Sequence, residues 1–159
     1  NKRLDTIISI VKKSKNEQEK ATDTLNTIIN TVFKNIKNAS ISFGSDKIWL
    51  YLDSIAEKIN DYIVIFSVEE IPNIEKILNK VKIESHVELI MPKRFVEKII
   101  SKAEKPIAHR EPIVKPPLWL IVYDDKEVFI SLKGKEENIN ISFQDPEVVK
   151  AVKNVLPYI

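Results

Sequence analysis

Residues 4–36 contain neither proline nor glycine, and their apolar positions recur at a period of seven. With Leu4, Val11, Gln18, Leu25 and Val32 at one seam position, Ile7, Ser14, Ala21 and Ile28 fall at the other, so seven of the nine are apolar. That spacing predicts a long helix over residues 1–38 whose narrow apolar seam faces another helix, as in a coiled coil. Ile8, Ile29 and Ile36 widen the stripe on one flank, and the polar stretch 14–18 is placed to set the register. Such a helix spans about 50 Å, more than one small domain covers. Leu4, Ile7, Val11, Ala21, Leu25, Ile28 and Val32 are therefore expected at a homodimer interface. A single amphipathic helix lying along its own domain is the other reading.

Beyond residue 38 the pattern changes to short alternating elements, predicting a second unit over residues 39–159. The segment 39–46 breaks the helix, and Ser45 or Asp46 caps another one with Ile48, Leu52, Ile55, Ala56 and Ile59 on one face. Residues 62–68 (YIVIFSV) form a nearly continuous apolar run, as expected of a strand covered on both faces. A helix over 71–81, a strand over 86–91 and a helix over 92–103, with Phe95, Val96, Ile99 and Ile100 inward, complete a parallel strand pair joined by right-handed crossovers. A short strand over 107–111 leads into the stiff, proline-containing stretch 111–117. Strands over 118–123 and 127–133 flank a polar turn at 124–126, which reads as a hairpin. One more strand, 138–143, precedes a terminal helix with Asp145 as cap, Pro146 first, Glu147 in its first turn, and Val148, Val149, Val152 and Leu156 inward. The expected fold class is α/β with a mixed sheet, behind a long N-terminal coiled-coil helix.

Composition narrows the chemistry. The 159 residues include two glycines, two histidines, one methionine and no cysteine. Disulfides, thiol chemistry and cysteine-based zinc sites are excluded, and Gly44 and Gly134 alone do not build a phosphate cradle. Neither histidine has a second ligand at metal spacing, so no metal and no cofactor is expected. Net charge is +2, but residues 1–40 carry eight Lys or Arg against four Asp or Glu, which puts any polyanion contact near the N-terminus. Lys12, Lys13, Lys15 and Lys20 form that cluster, and on a coiled coil such lysines usually serve solubility. No apolar run is long enough to span a bilayer, so no membrane partner is expected and the cytoplasm is the default location. Without an initiator Met, the chain is expected to begin inside a longer protein.

The order helix, buried strand, helix, strand, helix, then the hairpin LWLIVYDDKEVFISL, resembles one half of a phospholipase-D-like domain. In that family the hairpin carries the signature His-x-Lys-x4-Asp. Laid over it, Asp124 takes the aspartate, but Pro117 stands at the histidine and Trp119 at the lysine. In the enzymes histidine forms the covalent phosphoenzyme and lysine balances phosphate charge, so the resemblance implies an inactive version. Asp125 replaces the turn glycine, and Ser131 stands near the small residues that end the second strand. The stretch FGSDKIWLYLDSIAEKINDYIVIFS is similar to the entry segment of TrmB-like archaeal transcriptional regulators, which place such an inactive domain behind a winged helix and a long linking helix. That resemblance implies the dimerising effector part of a regulator, touching DNA only through a domain upstream of this chain. It stops short of the sugar-binding region of longer members, and no recognition-helix pattern lies within these residues.

Candidate ligand-binding residues are Ser67, Met91 and Trp119, at the ends of the strands that would border a crevice, together with His109, Arg110 and Asp124. A small-molecule effector could bias the dimer geometry if it preferred one arrangement. Two rivals stand beside the regulator reading: residual phosphodiester chemistry through His109, Lys115 and Asp124, and a ligand-free assembly module. Asp124 and Asp125 also have a plainer use, since acidic pairs at hairpin tips make turns.

Overall fold

The computed structural model describes residues 39–159, so the heptad seam expected over 1–38 lies outside the described residues. Seven strands, β1 (Ala39–Phe43), β2 (Tyr62–Ser67), β3 (His86–Ile90), β4 (Ala108–Arg110), β5 (Leu118–Tyr123), β6 (Glu127–Leu132) and β7 (Ile139–Phe143), form one sheet in the order β1-β7-β6-β5-β2-β3-β4. β2, β3 and β4 run parallel, and β5, β6, β7 and β1 continue the sheet antiparallel from β2. The sheet is therefore mixed.

Helices α1 (Lys47–Ile55), α2 (Ile74–Leu78) and α3 (Lys93–Lys102) cover one face, and α4 (Pro146–Val155) covers the other. Alternation along the strands divides the core accordingly. Ile63, Ile65, Ile121 and Phe129 meet Ile48, Leu52, Ile77 and Val96 on the first face, while Val64, Phe66, Leu120, Val122 and Val128 meet Val148, Val149, Val152 and Val155 on the second. β2 and β5 are apolar on both sides because both of their faces are packed.

Three elements differ from the sequence reading. Residues 39–43, expected within a break between helices, form β1 and pair with β7 from Ala39 opposite Phe143 to Phe43 opposite Ile139. Five alternating residues do not hold a strand alone; β7 supplies the partner. The helix expected over 71–81 is regular only over Ile74–Leu78, because Asn73 is left-handed (φ 58°) and the amides of Lys80 and Val81 reach back three residues, to Ile77 and Leu78, in a tightening turn. Ile100, expected inward, is 41% exposed, since Val96 and Ile99 occupy the buried stripe of α3.

The hairpin turn is where sequence and geometry agree most closely. The amide of Lys126 donates to the carbonyl of Tyr123 at 2.9 Å, and Asp124 and Asp125 are both left-handed (φ 50° and 55°), the mirror-image turn that matches strand twist. The Asp124 carboxylate accepts three backbone N–H groups, from Asn60 at 2.6 Å, Asp61 at 2.7 Å and Tyr62 at 2.9 Å. It clamps the start of β2 to the hairpin tip.

Candidate functional site

Successive strands place five residues in one rung across the first face: Ser67 opposite Trp119, Trp119 opposite Ser131, Ser131 opposite Asn140, and Asn140 opposite Ser42. Four are polar where neighbouring rungs bury Ile65, Ile121 and Phe129. They satisfy one another: the Ser131 hydroxyl donates to Asn140 Oδ1 at 2.6 Å, and Asn140 Nδ2 donates to the carbonyls of Gly44 (3.0 Å) and Ser42 (3.4 Å). The Ser67 hydroxyl donates to the Glu69 carbonyl and accepts from the Glu69 amide, turning the chain as it leaves β2. This rung marks the end of the sheet beyond the carboxyl termini of the parallel strands, where a crevice is expected in an open α/β sheet.

Trp119 stands there as a wall between two spaces. On one side is a slot of about 10 Å³ bordered by Glu69, Pro117, Ser131, Lys133 and Asn138, two of which, Lys133 and Glu69, form an ion pair. That is room for about one water. On the other side, between the start of α1 and the loop 68–73, lies a groove of about 330 Å³, lined by Asp46, Trp49, Glu70, Ile71, Pro72 and Trp119 among others. Its volume falls within the range of small-molecule sites.

The structure brings together only part of the sequence-derived set. Ser67 and Trp119 are direct neighbours at this end of the sheet. Met91 is buried in the core, its amide bonded to the Arg110 carbonyl at 3.2 Å, and it lines neither space. His109 is exposed on the edge strand β4, and the Arg110 guanidinium is used internally, donating to the carbonyls of Leu156 (2.5 Å) and Ile159 (2.8 Å). Asp124 follows the far end of β5, five residues from Trp119 and hence roughly 16 Å away. Burial pushes the pKa of its carboxyl up, but the N–H groups of Asn60, Tyr62 and Asp61 outweigh that and hold the pKa below the ordinary carboxylate value. Those bonds give Asp124 a structural role.

Sequence reasoning did not assign Asp46, Glu70, Ser131 or Asn140 to the site. Ser131 and Asn140 carried a readable signal, a polar residue at an inward position of an otherwise apolar strand. Asp46 and Glu70 carried none, because they lie on loops 24 residues apart that only the fold brings together.

A second cleft of about 270 Å³ flanks α1 on its other side, lined by Ser40, Ser42, Lys47, Tyr51, Phe129 and Ser142 among others. Tyr51 stacks on Phe129 with ring centroids 4.2 Å apart. Its buried hydroxyl has no hydrogen-bond partner among the described residues, and burial, reinforced by nearby Glu127, pushes its pKa strongly upward. Among the described residues no group of three His, Asp or Glu is placed to hold a metal ion, and no helix is long and apolar enough to cross a membrane.

No family model matches the sequence, and no curated protein does. Solved structures that share the fold include TrmBL2 and NucT. TrmBL2, described as an archaeal chromatin protein with a novel mode of DNA binding, superposes with a TM-score of 0.58 at 18% identity, over 86% of this chain and 57% of that one. This chain thus corresponds to little more than half the length of TrmBL2. NucT from Helicobacter pylori superposes with a TM-score of 0.56 at 12% identity, over 76% of this chain and 95% of that one. At such identities the likeness is one of fold.

Proposed function

We propose that this chain is the dimerisation and effector part of a cytoplasmic transcriptional regulator. It reaches DNA only through a reader domain upstream, and it is not an enzyme. The observation that carries the reading is the slot beside Trp119. Where a phospholipase-D-like centre would present its nucleophile and its phosphate-binding cation, this chain has Pro117 and Trp119 around about 10 Å³ of space. A proline ring has no nucleophile, and an indole offers a face where an ammonium would be needed. The fold shared with TrmBL2 supports the reading, as does the heptad seam of residues 4–32, which would pair two copies and fix the spacing of two DNA readers.

The resemblance of the hairpin to a phospholipase-D-like half-domain favours the rival, a phosphodiesterase, but its candidate residues are scattered. His109 and Lys115 are exposed, and Asp124 is committed to three backbone amides at the opposite end of β5. Sedimentation of the chain at micromolar concentration should show a dimer, and bis-p-nitrophenyl phosphate should not be turned over. A monomer removes the spacing mechanism, and turnover abolished by His109→Ala installs the enzyme instead.

A further inference from the structure

The groove beside Trp119 has an unusual lining. It carries two carboxylates, Asp46 and Glu70, and the indoles Trp49 and Trp119, over an apolar floor that includes Ile71 and Pro72, and none of its lining residues is Lys, Arg or His. Lys47, next to Asp46 in sequence, lines the cleft on the other side of α1 instead. Glu70 meets Lys98 at 3.5 Å, but both side chains are largely exposed, and such a pair is weak and screened. Asp46 has no ion-pair partner among the described residues. It stands at the N-cap of α1 without a side-chain cap bond, so its carboxylate is not used in holding the helix.

Aromatic faces beside carboxylates, among the described residues one unpaired and one engaged only by an exposed lysine, are the chemistry that recognises a weakly hydrated organic cation: the ring quadrupole attracts the charge, and the carboxylates balance it. An anion would meet repulsion here. A neutral sugar would find few hydrogen-bonding groups besides the carboxylates.

We propose that this groove binds a small organic cation, of the alkylammonium or guanidinium class, with its charged head between the two indoles and beside Asp46 and Glu70. The inference rests on reading the groove as the effector site. It differs from the phosphate chemistry that the fold suggests.

The chain has two tryptophans and both line the groove, Trp49 this space alone and Trp119 also the slot behind it, so intrinsic indole fluorescence reports on the groove and the Trp49 signal separates it from the slot. Titration of the full chain with choline and with agmatine should change that emission. Choline should bind at least tenfold tighter than 3,3-dimethyl-1-butanol, its neutral isostere. Trp49→Phe and Trp119→Phe, each leaving one reporter, should both still respond but with weaker affinity for choline, since a phenyl ring is the poorer cation–π partner. The double variant Asp46→Asn, Glu70→Gln should lose at least tenfold in affinity for choline; if that variant fails to fold, the isostere comparison on the unmodified chain decides by itself. Equal affinity for choline and its isostere, or a response to glucose or inorganic phosphate with none to either cation, overturns the cation assignment while leaving an effector groove. Silence towards every probe overturns both. Sedimentation reads the dimer reading separately, since a monomer that binds choline fails that reading and keeps this one.

Discussion

Asp124 shows how one side chain changes role between sequence and structure. Read against a catalytic signature it is the surviving acid; in the fold it is a backbone clamp, 8% exposed, with three amides on its two oxygens. Because its carboxyl is held below the unfolded value, it contributes stability that is present above about pH 4 and lost as the pH falls through the lower, folded value. Asp124→Ala should cost about 3 kcal/mol by leaving those amides unpaired. Asp124→Asn, which keeps one acceptor and suits the left-handed turn, should cost less and should flatten the fall in stability on acidification. Urea midpoints measured from about pH 6 down to about pH 2.5 would check both; an unchanged acid slope in Asp124→Asn would remove the clamp from the account.

At the scale of elements, the legible pieces were those whose signals are local. α4 is the clearest: Asp145 accepts from the amide of Glu147 at 2.8 Å, Pro146 opens the helix, and the valines face inward as their spacing predicts. Asp145→Ala should lower stability by about 1 kcal/mol, read as a shift in urea midpoint at constant slope. β1 and α2 were misread for one reason. β1 is a strand because β7 lies beside it, and α2 is short at both ends because the chain turns at Asn73 before it and again after Leu78 to reach β3. Neither condition is written in the segment itself. The polar rung from Ser67 to Ser42 lies between these cases, since its residues were visible singly but their alignment depends on strand register.

For the whole molecule, both halves of the core close among residues 39–159, with α1 to α3 on one face of the sheet and α4 on the other. A fragment of residues 39–159 should therefore fold by itself, giving far-UV and near-UV dichroism typical of a packed α/β domain, and should sediment as a monomer while the full chain pairs. A dimeric fragment would move the interface from the heptad seam to the sheet domain, where Ile41 and Phe43 on the edge strand β1 are 46% and 55% exposed. The hairpin, the parallel pair and the terminal helix followed from the sequence because periodicity, caps and turn residues act over a few neighbouring positions. The tertiary structure alone decided that Asp124 is spent on the backbone of β2, and that Asp46, Trp49, Glu70 and Trp119 line one groove. Those groupings depend on how distant segments pack, which no local pattern of side chains encodes.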